Sequence, residues 1–183
     1  MRIDSMEEIK RAIEVADEIP VRYVVQHMGL PGDEYDLEKF DAALTSLEHL
    51  RIFAKERGTE ILLENIPNEL STPERLTTFI NYAHLSGQKV CFDTGHAHMG
   101  AGVAQGFETL KNRIASTHVH DNRRSKDDHF MPFDGTLDWD QAVTAFRSVD
   151  GQFPILFELR QYGPEATGLP RLGEVMKKFE AMR

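Results

Sequence analysis

Four short apolar runs, each closing on a carboxylate or an imidazole, constrain this chain more than any other feature. Ile61-Leu62-Leu63 closes on Glu64, and Val90-Cys91-Phe92 closes on Asp93. The run from Ile114 closes on His118-Val119-His120, and Pro154-Ile155-Leu156-Phe157 closes on Glu158. A continuous apolar run is the mark of a strand buried on both faces, as in parallel sheets covered by helices. Polar residues gathered at the strands' C-terminal ends are where such sheets carry their active sites.

The segments between these runs read as helices. Residues 5–18 have Ser5 placed to cap, Glu8 three residues later, and Ile9, Ala12, Ile13 and Ala16 at helical spacing, with Pro20 as the stop. Val21–Gln26 is a strand candidate reaching His27. Leu37–Arg57 is a longer helix with Phe40, Leu44, Leu47, Leu50 and Ala54 on one stripe and Gly58 at its end. Ser71-Thr72-Pro73-Glu74 opens a third helix. The glycine-rich stretch from Gly100 to Gly106 leads to a short helical piece around Phe107–Leu110, without the strand-then-helix phosphate fingerprint. Asp121–Leu137 is long and charged, yet Phe130, Met131, Pro132 and Phe133 within it predict an ordered, packed loop. Asp138 caps a helix to about Val149, Gly151 breaks it, and a last helix runs from about Leu169. About five strands alternating with helices predict a parallel α/β fold in a single domain spanning residues 1–183.

Composition narrows the function. With 21 Lys and Arg against 30 Asp and Glu, the net charge of −9 argues against a general nucleic-acid surface. The single cysteine, Cys91, precludes an intrachain disulfide and, inside an apolar strand, reads as core packing. No apolar run reaches the ~18 residues a membrane helix requires, and the N-terminus lacks a signal-peptide apolar segment. A cytoplasmic protein acting on a small molecule is the expectation.

Glu64, Asp93, Glu158 and one histidine of the His118/His120 pair offer three carboxylates and an imidazole. The two histidines stand two apart on a strand and should share a face, so spacing alone does not choose between them. Such an oxygen-rich set suits a divalent ion, Mn²⁺ or Mg²⁺ first, with Co²⁺ and Zn²⁺ as further candidates. Around an octahedral ion, four protein ligands leave two positions for substrate oxygens. That arrangement suits a vicinal hydroxy-carbonyl unit and an enediolate, with Glu64 and Glu158 as acid and base. His27, His96, Asp127 and His129 form a second tier expected to bind substrate, His96 in a loop beyond Asp93 and Asp127 and His129 an Asp-x-His pair able to hold another cation or a sugar hydroxyl; His120 is expected to bind substrate beside them. Arg123, Arg124 and Lys126 offer either a phosphate contact or a solvated charged loop.

At these residues the sequence resembles the xylose isomerase-like TIM-barrel superfamily. That group includes sugar-phosphate isomerases, ketose 3-epimerases and the related apurinic-site endonucleases. The resemblance rests on Val24-Val25-Gln26-His27-Met28-Gly29, Leu63-Glu64-Asn65, Phe92-Asp93-Thr94-Gly95-His96, His118-Val119-His120-Asp121-Asn122 and Phe157-Glu158. It implies an incomplete (β/α)₈ barrel of about five C-terminal β/α units, N-terminally truncated, with the first three strands missing. Met28 stands where the family often has proline. By the family pattern Glu64, Asp93, His118 and Glu158 are the metal ligands, and His118, three residues before Asp121, is the ligand histidine. His96 would touch substrate. His27, Asp127 and His129 resemble positions that carry additional metals in the endonuclease branch and line the pocket in the isomerase branch.

The resemblance thus implies a divalent-metal-dependent sugar or sugar-phosphate isomerase or epimerase. An apurinic-site endonuclease-type phosphodiesterase and a catalytically silent partial barrel are the alternatives. Missing strands would leave sheet edges open, so a homo-oligomer or a complementing chain is the expected partner.

Overall fold

The computed structural model describes residues 2–149, 153–160 and 168–182, with side chains from Ser5 onward. Its elements are α1 (Arg2–Ile13), a 3₁₀ turn (Glu14–Asp17), β1 (Tyr23–Gln26), α2 (Leu37–Lys55), β2 (Glu60–Glu64), α3 (Pro73–Tyr82) and β3 (Lys89–Asp93). There follow α4 (Thr94–Met99), α5 (Val103–Leu110), β4 (Ile114–His118), α6 (Trp139–Arg147) and α7 (Gly168–Ala181). The strands form a parallel sheet in the order β1-β2-β3-β4, so the fold is α/β with helices as its crossovers. No helix among the described residues is long and apolar enough to cross a membrane.

The chain divides into two compact units, Met1–Val90 and Cys91–Arg183, the boundary falling inside β3. In the first unit β1 pairs with β2 from Tyr23↔Glu60 to Gln26↔Leu63. Ile61, Leu62 and Leu63 are all buried, on both faces of β2, as a central parallel strand requires. Helix α2 begins at Asp36, whose carboxylate accepts from the Glu38 and Lys39 amides. It buries Phe40, Leu47, Leu50 and Ala54, while Leu44 of the expected stripe is only half-buried. Its end is a Schellman turn: the Thr59 amide donates to Ala54 O (3.1 Å) and the Gly58 amide to Lys55 O (3.1 Å), with Gly58 at φ +71°. Phe40 meets Phe79 of α3 edge-on at 4.9 Å between ring centroids. Thr72 caps α3 through the Arg75 amide, with Pro73 in its first turn.

In the second unit Phe92 of β3 meets Phe107 of α5 at 5.6 Å, and Phe107 meets Phe146 of α6 at 5.5 Å. Trp139 and Phe179 bring α6 and α7 together, with ring centroids 5.2 Å apart. Asp138 caps α6 by accepting from the Gln141 amide.

Several expectations are corrected. Ser5 lies within α1 rather than capping it, and the helix gives way to a 3₁₀ turn after Ile13. Among the described residues four strands form, not about five. Pro154–Glu158 makes only one parallel bridge, Val119↔Phe157, with Val119 N donating to Leu156 O (2.8 Å) and Glu158 N to Val119 O (3.2 Å). Two features limit the ladder there. Pro154 has no amide hydrogen to contribute. The Thr117 hydroxyl donates to Pro154 O (2.8 Å) and accepts from Leu156 N (3.3 Å), taking positions a backbone ladder would use. Gly151, the expected helix breaker, lies outside the described residues.

Candidate metal and substrate site

His27 follows β1 and Glu64 ends β2, so pairing these strands brings the two side chains together: His27 Nε2 lies 3.1 Å from Glu64 Oε2. Glu64 is buried and His27 half-exposed. The turn after His27 is fixed by Asn68, whose amide donates to Met28 O (2.8 Å) and Leu30 O (3.1 Å), and by the Ser71 hydroxyl donating to Met28 O (2.9 Å). Gly29 sits in it at φ +80°, with Asp33 and Leu70 too close to admit a side chain.

In the second unit Asp93 is both the last residue of β3 and the cap of α4. Its Oδ1 accepts from the His96 amide at 2.7 Å. His96 therefore stands on a short helix, with His98, rather than in the expected loop. Asp93 is fully buried and faces imidazoles from two elements. His120 Nε2 is 3.1 Å from its carboxylate, His96 Nδ1 3.5 Å, and His118 Nδ1 4.0 Å. His118 Nδ1 also lies 3.1 Å from Glu158 Oε2, whose side chain is 46% exposed. Ligand atoms of Asp93, His118 and Glu158 thus lie within 4.8 Å of one another. Two carboxylates and an imidazole so close fit the donor chemistry of a divalent cation.

A second group, His96, His120, Asp127 and His129, also offers one ligand atom each within 4.8 Å. His129 Nδ1 is 3.1 Å from the Glu158 carbonyl, which can only accept, so Nδ1 carries the hydrogen. Its Nε2 lies 2.9 Å from Asp127 Oδ2, and that contact is favourable only with a proton or a cation between them. Hydrogen bonding to Asp127 accordingly raises the His129 pKa. For Asp127, burial opposes ionisation, but hydrogen bonds from His129 and His96 overcome it and hold the carboxyl well below the usual range. His129 adopts this pose at φ +51°, a left-handed backbone held by the Asp121–Phe130 antiparallel bridge on one side and by Arg160 N donating to His129 O (3.2 Å) on the other.

The long loop is ordered by a residue that the sequence offered only as a marker for His118. Asp121 is fully buried and accepts from the amides of Asn122 (2.8 Å), Phe133 (3.1 Å) and Leu137 (3.1 Å) and from Trp139 Nε1 (2.8 Å). A Cβ at Gly135 would stand 2.1 Å from its Oδ1. The only sequence signal was indirect: one aspartate at a strand end, and the single tryptophan eighteen residues later. Of the basic residues, Arg124 donates to Gly100 O (3.2 Å) and Arg123 lies over the Phe130 ring at 5.0 Å. His120, expected to bind substrate, has no exposed surface. Cys91 is a buried thiol.

Residues 1–179 match the family model described as xylose isomerase-like TIM barrel. The uncharacterized protein y4fM of Sinorhizobium fredii is 31% identical over 168 residues, covering 86% of this chain and 53% of its own length. The uncharacterized protein MJ1614 of Methanocaldococcus jannaschii is 26% identical over 147 residues, covering 80% and 58%. The chain therefore spans little more than half the length of either relative. Among solved structures, a D-tagatose 3-epimerase-like protein superposes with a TM-score of 0.79 at 26% identity, covering 98% of this chain and 70% of that one.

Proposed function

Because the chain belongs to the xylose isomerase-like TIM-barrel family, we propose that it is a divalent-metal-dependent isomerase or epimerase of a sugar or sugar phosphate. The observation that carries this reading is the convergence of Asp93, His118 and Glu158 within 4.8 Å at the ends of successive parallel segments. The likeness to a D-tagatose 3-epimerase-like protein supports the substrate class. In this reading Asp93, His118 and Glu158, joined by Glu64 from the end of β2, hold Mn²⁺ or Mg²⁺, with Co²⁺ or Zn²⁺ as substitutes. When bound, such an ion supplies Lewis-acid stabilisation of negative charge on substrate oxygens.

The protein's own residues do the rest. Glu158, buried on one side by His118 and open to solvent on the other, takes a proton from the substrate carbon. Glu64 is its counterpart, returning a proton, with His27 against its carboxylate. His27, His96, Asp127 and His129 hold the sugar hydroxyls. A cytoplasmic setting and a partner, either a second copy or a complementing chain, belong to the same reading. Half-exposed β1 at the edge of the sheet and Leu30 and Leu37, 71% and 63% exposed, support the partner.

Elemental analysis of the purified chain, alongside its mass in solution, is the first test. About one Mn, Mg or Co per chain is expected. Glu158→Gln should keep the ion, since its amide oxygen still ligates, and lose turnover of a responsive ketose by about 10²–10⁴-fold. Normal turnover in Glu158→Gln would remove that residue from the chemistry.

A second reading, an apurinic-site endonuclease-type phosphodiesterase, is favoured by the second donor group and its Asp127–His129 contact. Two or three Zn per chain with cleavage of abasic-site DNA would select it. Ion binding without turnover of any ketose or abasic DNA would select a silent partial barrel.

A further inference from the structure

His120 differs from the other imidazoles of the site. The side chains of His96, His118 and His129 keep 7%, 13% and 17% of their surface exposed, whereas that of His120 keeps none. A ring with no surface cannot touch a substrate, and a buried polar ring is costly unless its nitrogens are engaged. Its Nε2 lies 3.1 Å from each Asp93 oxygen and 3.7 Å from Asp127 Oδ1. Carboxylates only accept, so Nε2 carries the hydrogen and Asp93 receives it. The ring lies flat on His129, with centroids 4.0 Å apart and planes 12° apart.

Thr94 and Gly95 fix this ring. The Thr94 hydroxyl accepts from His120 N at 3.1 Å and donates to His120 O at 2.8 Å. Thr94 directly follows Asp93, so one short segment carries the carboxylate and clamps the histidine that faces it. Gly95 provides the space: a Cβ there would stand 1.9 Å from His120 Cε1 and 2.4 Å from Nδ1.

We infer that His120 is a positioning residue. Its Nε2–H fixes the plane of the Asp93 carboxylate toward the cation, and its ring face sets His129 and the Asp127 loop against the same point. Groups behind a metal ligand commonly set affinity by restricting the ligand's orientation, at about 10–100-fold per partner. The inference rests on the metal-dependent reading, because it concerns how Asp93 presents its oxygens.

The test uses the full chain and Co²⁺ as the probe, with affinity from chelator competition and ligand geometry from the visible absorption bands. His120→Leu removes the donor at similar size; His120→Gln keeps an amide N–H of similar reach. Thermal midpoints of the metal-free proteins report folding. The expected result is a loss of about 10–100-fold in Co²⁺ affinity and shifted bands in His120→Leu. His120→Gln should stay within about threefold of the parent, on the strength of the retained donor. Should the leucine variant fail to fold, His120→Met carries the same comparison. Parent-like affinity and bands in His120→Leu would overturn the positioning role, as would equal losses in the leucine and glutamine variants, which would point to packing alone. A parent protein that binds no Co²⁺ would instead overturn the metal-dependent reading, and this inference with it.

Discussion

A methyl group on Gly95 would lie inside the His120 ring, yet nothing in Asp-Thr-Gly-His as a string announces that clash. Gly95→Ala should therefore destabilise the metal-free protein by about 1–3 kcal/mol, read from its denaturation midpoint, because a close-packed buried ring must move. His98 offers a test by pH. Its Nε2 lies 3.0 Å from the Thr136 hydroxyl, which already donates to Asn122 O at 3.2 Å, so the imidazole donates from Nε2. Burial lowers its pKa, as does Arg124, against the opposing charge of Asp121. A histidine with a depressed folded pKa favours the fold fully above its unfolded pKa and loses that contribution as pH falls through it. From pH 7.5 to pH 5.5 the thermal midpoint of His98→Gln, which keeps a donor and gains no charge, should rise relative to that of the parent, the raised pKa of His129 acting alike in both. An unchanged difference would show that His98 titrates alike in the folded and unfolded states.

At the scale of elements, three helix boundaries were legible from local signals, whereas the Ser5 signal was not a boundary. Thr72-Pro73 and Asp138 mark starts and Gly58 a stop because capping is short-range chemistry. Asp36→Ala should cost about 1 kcal/mol through loss of the α2 cap. Gly58→Ala should cost about 1 kcal/mol or more, since its left-handed backbone admits a side chain only with strain. Denaturant midpoints check both. The fifth strand was misread because an apolar run predicts burial, not a ladder; the Thr117 hydroxyl and Pro154 decide the hydrogen bonding. His96 was assigned to a loop because the cap of α4 is the carboxylate of Asp93, a residue read as the end of a strand.

For the whole molecule, the proposed ion should stabilise the fold by mass action. At about 100 times its dissociation constant, Mn²⁺ or Co²⁺ should add about 2.7 kcal/mol and raise the thermal midpoint. EDTA should reverse the rise, and Asp93→Ala should abolish it. A midpoint indifferent to both ions would count against a metal held by the native state.

The sequence by itself determined the repeated β/α order and the chemical character of the strand ends, because burial on both faces and helix capping are written in neighbouring residues. It also placed carboxylates and imidazoles at those ends, Glu64, Asp93, His118 and Glu158, and the Asp127–His129 pair on the long loop. Only the tertiary structure decided what each faces. Period-two spacing put His118 and His120 on one side of a strand but could not say that one keeps open surface beside Glu158 while the other is sealed between Asp93 and His129. That difference comes from Thr94 and Gly95, residues distant in sequence from the ring they enclose, and from His129 stacked on it. Contacts of that kind are fixed by packing, which no local pattern encodes.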